Sequence, residues 1–152
     1  IARVLGDFKG LPHRLEIVAK KRGVTFVNDT TATTPDATIA ALRSFDAKRP
    51  IHLIFGGSDK ELIFDDVARE IKRVHASVYL LQGTAHGKIL KAFVDAGVAY
   101  EDAGDLKMAF LSIQKKMKRG EVVLLSPGCA SFGQFKNEFD RGDQFKRLVK
   151  RV

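Results

Sequence analysis

Residues 51–57 read Ile-His-Leu-Ile-Phe-Gly-Gly, a short and mostly apolar run followed by two glycines. A run of this kind predicts a strand that is buried on both faces, as in the parallel sheets of α/β proteins. Further short apolar runs alternate with helical segments along the rest of the chain. This strand–helix–strand order indicates right-handed crossovers and an α/β, Rossmann-like, doubly wound and mainly parallel sheet with helices on both faces.

The predicted elements begin with a β-hairpin and continue as alternating helices and strands. Residues 15–19 and 24–27 alternate like strands, and Lys21-Arg22-Gly23 between them indicates a tight turn. Thr34 followed by Pro35 is typical of a helix start, because threonine caps free N–H groups and proline suits the first helical position. We expect a single domain over 1–152, with helices over 37–45, 65–73, 86–96, 106–117 and 144–150 and strands over 51–55, 77–81, 98–100 and 121–125.

Composition restricts the class of protein. Of the 152 residues, 45% are hydrophobic and 29% are charged, which is typical of a folded globular domain. No apolar run approaches the roughly 20 residues that a membrane-spanning helix needs, and residues 1–7 lack the apolar stretch of a signal peptide. The single cysteine, Cys129, excludes an internal disulfide and suits a reducing compartment. We therefore expect a cytoplasmic protein with no membrane partner.

The net charge of +8 raises the question of nucleic-acid binding, since basic domains attract polyanions. The lysines and arginines are scattered in short groups, and no aromatic residues alternate with them to form a stacking surface. We interpret the charge as solvated surface and expect no nucleic-acid partner. Small anionic ligands, such as phosphates and carboxylates, are compatible with a basic surface.

Ligands of doubly wound sheets bind beyond the carboxyl ends of the strands, in the loops that follow them. Here that rule points to residues 28–34, 56–60, 82–86 and 126–132. The first of these loops carries the carboxylate of Asp29, four threonines and a helix N-terminus, which together favour an anionic ligand or a ribose. Turn and cap hydrogen bonds within the loop are the alternative explanation for the same residues.

The second loop combines Gly56-Gly57, which would let the backbone approach a ligand closely, with Lys60, which can face a carboxylate or a phosphate. A simple strand-to-helix turn explains the pattern equally well. The chain has neither the spacing of a Walker A loop nor a Gly-x-Gly-x-x-Gly fingerprint after its first strand. The loop is therefore a candidate for anion binding but indicates no specific nucleotide fold.

The loop over 126–132 consists mainly of small residues, which would give a ligand access to backbone amides and to the hydroxyl of Ser131. Cys129 lies in this loop, but no base is evident as its partner, so we predict a buried structural thiol and not a nucleophile. The four histidines show no metal-ligand spacing, and His52, inside a strand, is expected in the core or at an edge. We assign neither a catalytic side chain nor a metal site to this chain.

Several segments occur in an order and at intervals that characterise one family: Gly10-Leu11-Pro12-His13-Arg14 before the hairpin, Asn28 to Thr33, Gly56-Gly57, Leu125 to Ser131, Phe135-Lys136-Asn137 and Arg141-Gly142. Together they resemble the C-terminal domain of the Mur ligases, and in particular of the members that add D-glutamate. The likeness runs from about Gly10 to Val152. One such motif would be a weak signal, but several in register, three of them on the predicted functional loops, are a strong one.

The resemblance implies a chain that is one part of a three-domain enzyme. In this family an N-terminal domain holds the UDP-sugar, a central domain carries the phosphate loop and the magnesium ligands, and the C-terminal domain closes over both. No Gly-Lys-Thr phosphate loop occurs here. We therefore expect the third domain alone, inactive by itself, with ATP and Mg²⁺ bound mostly by the central domain and the first two domains as its partners.

The reaction that the resemblance implies belongs to peptidoglycan synthesis. ATP activates the carboxylate of UDP-N-acetylmuramoyl-L-alanine as an acyl phosphate, and the amino group of D-glutamate attacks it to give an amide, ADP and phosphate. This domain would contribute positioning and charge neutralisation. The family motifs assign nucleotide contacts to His13, Arg14 and Asp29, and D-glutamate contacts to Thr33, Lys60, Ser131 and Phe139.

Two positions depart from the family pattern. Thr31 stands where relatives often have a lysine, so the positive charge that this lysine would place near the phosphates is missing or replaced here. Glu138 separates Asn137 from Phe139, whereas in some members the aromatic residue follows the asparagine directly.

Two alternatives to a D-glutamate ligase domain remain open at this point. The chain could belong to a Mur-family ligase with another incoming amino acid, although the Asn-Pro-Arg type of motif found in diamino-acid-adding relatives is absent. It could also be a freestanding module that binds a nucleotide or another polyanion, because doubly wound sheets host many functions.

Overall fold

The computed structural model describes residues 10–46 and 48–152. Residues 1–7, in which we expect no signal peptide, lie outside this range. The strands described are β1 (Glu16–Lys21), β2 (Val24–Asn28), β3 (Ile51–Phe55), β4 (Ser77–Leu81), β5 (Tyr100–Gly104) and β6 (Val122–Leu125). They form a six-stranded sheet in the order β1-β2-β6-β3-β4-β5. Strand β1 is antiparallel to β2, and the other neighbouring pairs are parallel.

Helices cover both faces of this sheet. They are α1 (Pro35–Arg43), α2 (Asp65–Arg73), α3 (His86–Ala96), α4 (Leu106–Lys116) and α5 (Glu138–Lys150). Helices α1 to α3 share one apolar core with side chains such as Leu53 and Phe55 of β3. Helices α4 and α5 share a second core with Ile54, on the opposite face of the same strand. Because β3 is buried on both faces, its apolar run does not alternate, and the predicted doubly wound sheet with an N-terminal hairpin is confirmed.

The helix starts follow from local capping. The Thr34 side chain accepts from the backbone N–H of Ala37, with Pro35 at the first position, as predicted. The last helix begins at Glu138 and not at Gln144, so the predicted start is wrong. The Asn137 side chain caps this helix by accepting from the N–H of Asp140 at 2.9 Å. None of the described helices is long and apolar enough to cross a bilayer.

The hairpin turn explains why the sheet has an antiparallel edge. Arg22 and Gly23 both have positive φ angles, 53° and 78°, which is the backbone of a primed two-residue turn. Such turns match the right-handed twist of the strands that they join. Strand β1 therefore folds directly back on β2, which carries the loop with Asp29 into the middle of the sheet edge.

The position of strand β5 also differs from the predicted one. The predicted strand over 98–100 covers only its beginning, because the strand runs over Tyr100–Gly104. Val98 instead continues from the end of α3, where its N–H donates to the carbonyl of Phe93 at 2.8 Å and its side chain is buried. The sequence Tyr-Glu-Asp-Ala-Gly lacks the β-branched residues that favour strands, and pairing with β4 determines its conformation.

Candidate functional site

The loops that follow β2, β3, β4 and β6 meet at one edge of the sheet. The N–H of Ser58 donates to the carbonyl of Ala130 at 2.9 Å, which joins the loops after β3 and β6. The N–H of Ala85 donates to the carbonyl of Gly57 at 3.1 Å, which adds the loop after β4. The structure thus brings together the loops that the carboxyl-end rule selects.

The paired glycines allow these loops to approach one another. Gly56 and Gly57 have φ angles of 111° and 149°, which side chains of L-residues rarely adopt. A Cβ atom on Gly57 would overlap the Ala130 carbonyl, and one on Gly83 would overlap the Gly57 carbonyl. The glycines are therefore required for contact between the loops themselves, whatever ligand the edge binds.

Asp29 lies almost completely buried directly after β2, with 4% of its surface exposed. One carboxylate oxygen accepts from the Leu15 N–H at 3.0 Å, and the other from the Ser126 hydroxyl at 2.8 Å. Burial raises the pKa of this carboxyl above its usual range, and the two hydrogen bonds and the positive charge of Arg14 oppose that rise. The carboxylate ties the hairpin to the loop after β6, and each of its oxygens has a second lone pair for a further donor.

His13 lies beside the same loop, which places it near Asp29 as the motif predicts. Its backbone carbonyl accepts from the N–H of Thr31 at 3.2 Å and from the Thr31 hydroxyl at 2.9 Å. The Asn28 amide nitrogen lies 3.1 Å from Nδ1 of His13, which connects the ring to the end of β2. Thr31, at the position where relatives often have a lysine, therefore holds the backbone of His13. The Arg14 side chain beside it is exposed to solvent.

Lys60 projects from the loop after β3 and lies over the exposed ring of Phe132, with 5.6 Å between Nζ and the ring centroid. The neighbouring Asp59 carboxylate forms an ion pair with Lys88 of α3 at 2.5 Å. The hydrogen bond from Lys88 is the main cause of a lowered Asp59 pKa, so this carboxyl is ionised and already neutralised. Among the described residues, no carboxylate lies within ion-pair distance of the Lys60 amine. The lysine charge is thus available to an external anion.

Ser131 lies on the loop after β6, next to the Lys60 loop, and Thr33 lies one loop further along the edge, after β2. Ser131 is 4% exposed and lies between Ala130, which is hydrogen-bonded to the Lys60 loop, and Phe132, which contacts Lys60. Thr33 is partly exposed, and the carbonyl of the preceding Ala32 accepts from the N–H of Gly128 at 2.9 Å. The structure therefore gathers Thr33, Lys60 and Ser131 on adjoining loops, as a shared ligand requires.

Phe139 lies in the first turn of α5, with 51% of its surface exposed. Its ring packs edge-on against the His13 ring, with 5.4 Å between the centroids. This contact places Phe139 at the His13 side of the loops, and its predicted contact with D-glutamate stays a prediction.

Cys129 is completely buried, and desolvation raises the pKa of its thiol to about 12. A thiol with this pKa is protonated at neutral pH and is a poor nucleophile. The predicted buried thiol is therefore confirmed.

Arg141 belongs to one of the family motifs in the sequence, but no role is predicted for it there. Its side chain is completely buried, and its guanidinium donates to the loops that carry Thr33 and Ser131. An arginine in a charged helical segment normally indicates a solvated face, so the sequence alone contains no signal for this placement.

A cleft and a buried histidine lie away from the edge of the sheet where these loops meet. A cleft of about 520 Å³ opens at the opposite end of the strands, where buried His52 contacts Glu121 at 2.8 Å and the Tyr79 hydroxyl at 3.2 Å. His52 is thus the core histidine that its strand position predicts. In the part of the chain that the structure describes, no group of three or more His, Cys, Asp or Glu side chains is placed to hold a metal ion.

Comparison with known proteins identifies the family. A family model described as "Mur ligase, glutamate ligase domain" matches residues 13–129, which include His13, Arg14, Asp29, Thr33 and Lys60. The chain belongs to the Mur ligase family. The resemblance drawn from the loop motifs is therefore confirmed.

Curated relatives extend the similarity to both ends of the Mur ligase domain. A protein named UDP-N-acetylmuramoylalanine–D-glutamate ligase in Roseiflexus is 48% identical over 152 residues, covering 98% of this chain and 32% of the relative. A protein of the same name in Desulfatibacillum aliphaticivorans is 43% identical, again covering 98% of this chain and 32% of the relative. The chain thus spans about a third of the length of these relatives.

Solved structures with low sequence identity share the fold of this Mur ligase domain. A ligase domain from Haemophilus ducreyi superposes with a TM-score of 0.56 at 17% identity, covering 91% of this chain and 95% of that domain. A murein peptide ligase from Psychrobacter arcticus gives a TM-score of 0.62 at 14% identity, covering 98% of this chain and 31% of that protein. At these identities the comparison supports the architecture and not a particular substrate.

Proposed function

We propose that this chain is the C-terminal domain of an ATP-dependent ligase that joins D-glutamate to UDP-N-acetylmuramoyl-L-alanine in peptidoglycan synthesis. The observation that carries the proposal is the 48% identity, across 98% of the chain, to a relative named for this reaction. The edge of the sheet where the loops meet supports it, because it combines a lysine without a carboxylate partner among the described residues, a hydroxyl-rich loop and a buried carboxylate.

ATP would donate the phosphoryl group that activates the acceptor carboxylate, and Mg²⁺ would be held mostly by a central domain outside this chain. The residues present fit a nucleotide at the His13 side of the edge. Arg14 is exposed and can contact phosphate or ribose, and Asp29 has free lone pairs for ribose hydroxyls. The Thr31 hydroxyl is occupied by the His13 carbonyl, so phosphate charge would be met by Arg14 and by the other domains.

D-glutamate would bind on the adjoining loops through its two carboxylates. Lys60 supplies a positive charge that Asp59 does not quench, because Lys88 holds Asp59. Ser131 and Thr33 would supply hydroxyl groups from the loops after β6 and β2, and Phe139 of α5 would contact the amino acid from the His13 side. A dianionic amino acid is therefore neutralised and oriented at this edge, while its amino group is left free to attack the acyl phosphate.

The chemistry assigned to this domain is positioning, and no side chain of the chain forms a covalent intermediate. The buried thiol of Cys129 does not take part, because its raised pKa keeps it protonated. We also propose a cytoplasmic location, which suits nucleotide-linked substrates and a free buried thiol. We propose the N-terminal and central domains of the same polypeptide as the remaining partners, in keeping with a relative of which this chain covers 32%.

Genetic complementation tests the proposal in cells. The full-length gene would be expressed in a bacterium whose own D-glutamate-adding ligase is placed under conditional control. We expect growth to be restored under depletion, and the cytoplasmic pool of UDP-N-acetylmuramoyl-L-alanine to fall to its normal level. Growth arrest with continued accumulation of that precursor, in cells that contain the folded protein, would contradict the proposal.

The nearest alternative is a Mur ligase with another incoming amino acid, and a freestanding polyanion-binding module is the more distant one. A polyanion binder loses affinity steeply as salt concentration rises, because counterion release drives its binding. A D-glutamate pocket instead discriminates between the D and L isomers of its ligand. Comparing the salt dependence of binding with isomer preference in the full-length protein therefore separates these functions.

A further inference from the structure

Arg141 carries a buried positive charge on the first turns of α5. Its side chain is 0% exposed, and the guanidinium donates three hydrogen bonds within the described residues. Nε donates to the Thr30 hydroxyl at 3.0 Å, and two further nitrogens donate to the carbonyls of Cys129 at 3.1 Å and of Thr30 at 2.9 Å. All these acceptors are neutral oxygen atoms.

A buried guanidinium without a carboxylate partner is unfavourable for folding. No salt bridge joins Arg141 to an acidic side chain of the described residues. Desolvation lowers its pKa to about 10, which still leaves the group charged at neutral pH. Apolar side chains of similar volume often stabilise proteins more than buried charges do. Stability alone therefore does not account for an arginine at this position.

The hydrogen bonds of Arg141 connect the loops after β2 and β6, two neighbouring strands of the sheet. Thr30 belongs to the loop that carries Thr33, and Cys129 belongs to the loop that carries Ser131. The peptide bond after Thr30 is held at both ends, because its carbonyl accepts from Arg141 and its N–H, on Thr31, donates to His13. A planar guanidinium can serve both loops at once, whereas an ammonium group has no fixed fork geometry.

The packing of the same helical turn reinforces this connection. The Thr30 hydroxyl donates to the carbonyl of Glu138 at 2.8 Å, so the loop after β2 is bonded to the start of α5. Gly142 lies against Thr30 and the His13 ring, where a Cβ atom would overlap both. The Arg141 side chain is thus held in one arrangement by its own helix and by the loops that it joins.

We infer that Arg141 is a positioning residue that fixes the Thr33 and Ser131 loops at the separation that D-glutamate requires. This inference rests on the proposed function. The guanidinium would not touch the substrate, but it would set the distance between the loops that carry the Thr33 and Ser131 hydroxyl groups. Its loss would loosen that distance while leaving Lys60, Asp59 and Lys88 in place.

The experiment uses the full-length protein with Arg141→Met, which keeps an unbranched stem and removes the charge and the donors. Steady-state phosphate release would be measured against each substrate, with D-glutamate and L-glutamate compared as acceptors. We expect KM for D-glutamate to rise by about tenfold and the preference for the D isomer to fall, because Arg141 would no longer connect the loops that carry Thr33 and Ser131. Arg141→Lys is expected to restore part of the loss.

A second pair of variants covers the case in which Arg141→Met fails to fold. Thr30→Val removes the hydroxyl that accepts from Arg141 and donates to the Glu138 carbonyl, and Thr30→Ser keeps it. We expect the valine variant to show the same rise in KM for D-glutamate and the serine variant to resemble the wild type. Arg147→Met is the matched control, because Arg147 lies on the same helix with 60% of its side chain exposed.

The outcomes separate this inference from the proposed function. A wild-type enzyme that uses another acceptor and not D-glutamate overturns the proposed function. A wild-type enzyme that uses D-glutamate, with Thr30→Val and any folded Arg141 variant at wild-type KM and isomer preference, overturns the inference alone. A uniform rise in KM for all three substrates, with a lowered melting temperature, also overturns it, because that result indicates a general loss of structure.

Discussion

Replacing Asp29 by asparagine separates the structural role of this buried carboxylate from its proposed contact with the nucleotide. Asparagine keeps the shape of the side chain and removes the negative charge. Its carbonyl can accept from the Leu15 N–H, as the carboxylate does at 3.0 Å. The Ser126 hydroxyl, 2.8 Å from the other oxygen, can rotate and accept from the new amide group. Both connections between the loops are therefore expected to survive.

The charge contributes little to folding, because burial raises the Asp29 pKa and disfavours the ionised form. The melting temperature of Asp29→Asn should thus stay close to that of the wild type. A hydrogen bond to a charged group contributes about 1.5–3 kcal/mol and a neutral one about 0.5–1.5 kcal/mol. The difference, about 1–1.5 kcal/mol, corresponds to an increase in KM for ATP on the order of tenfold.

The assay is phosphate release by the full-length protein as a function of ATP concentration, with thermal unfolding of the same preparations. The raised pKa also predicts a pH dependence. Wild-type affinity for ATP should fall as the pH drops toward the Asp29 pKa, at a higher pH than an exposed aspartate would give, and the variant should lack this step. An unchanged KM for ATP, or a large drop in melting temperature, would show that Asp29 serves the loops alone.

Three further changes are informative. Lys60→Met should raise KM for D-glutamate by about tenfold through loss of a charged contact. The control is Lys91→Met, which should leave this KM unchanged, because Lys91 is an exposed lysine of α3 that is paired within its own helix. Equal effects of the two substitutions in kinetic assays would argue against the Lys60 role. Glu70→Gln should lower the free energy of unfolding at neutral pH by about 1–2 kcal/mol, a value that allows for solvent screening because the partner arginines are exposed. The hydrogen bond from Arg73 lowers the Glu70 pKa to about 2. The difference in urea unfolding should therefore persist above pH 4.5, the usual pKa of Glu70, and shrink as the pH falls toward 2; a difference independent of pH would refute this origin. Cys129→Ala should keep its activity, and complete loss without unfolding would mean that the thiol participates.

Much of the fold was predictable because local signals agree with the tertiary arrangement. Thr34 and Pro35 begin α1 by capping and by a preset φ angle, and the cap is present in the structure. The start of α5 was missed although Asn137 and the acidic residue after it are a normal helix start.

The site was predictable only at the level of loops. The carboxyl-end rule selects the loops that contain Asp29, Lys60 and Ser131, because strand order alone brings them to one edge. Side-chain partnerships across that edge depend on packing that the sequence does not express. The ion pair of Asp59 with Lys88 and the burial of Arg141 are of this kind. Both determine which positive charges are available to a ligand.

The acceptor dependence of phosphate release tests the central claim most directly. The full-length protein would be incubated with ATP, Mg²⁺ and UDP-N-acetylmuramoyl-L-alanine, and with D-glutamate, L-glutamate or a diamino acid in parallel. We predict release with D-glutamate alone, together with a product heavier than the nucleotide sugar by one glutamyl residue. Release with a different acceptor, or with none of them, would contradict the assignment of this domain to D-glutamate ligation.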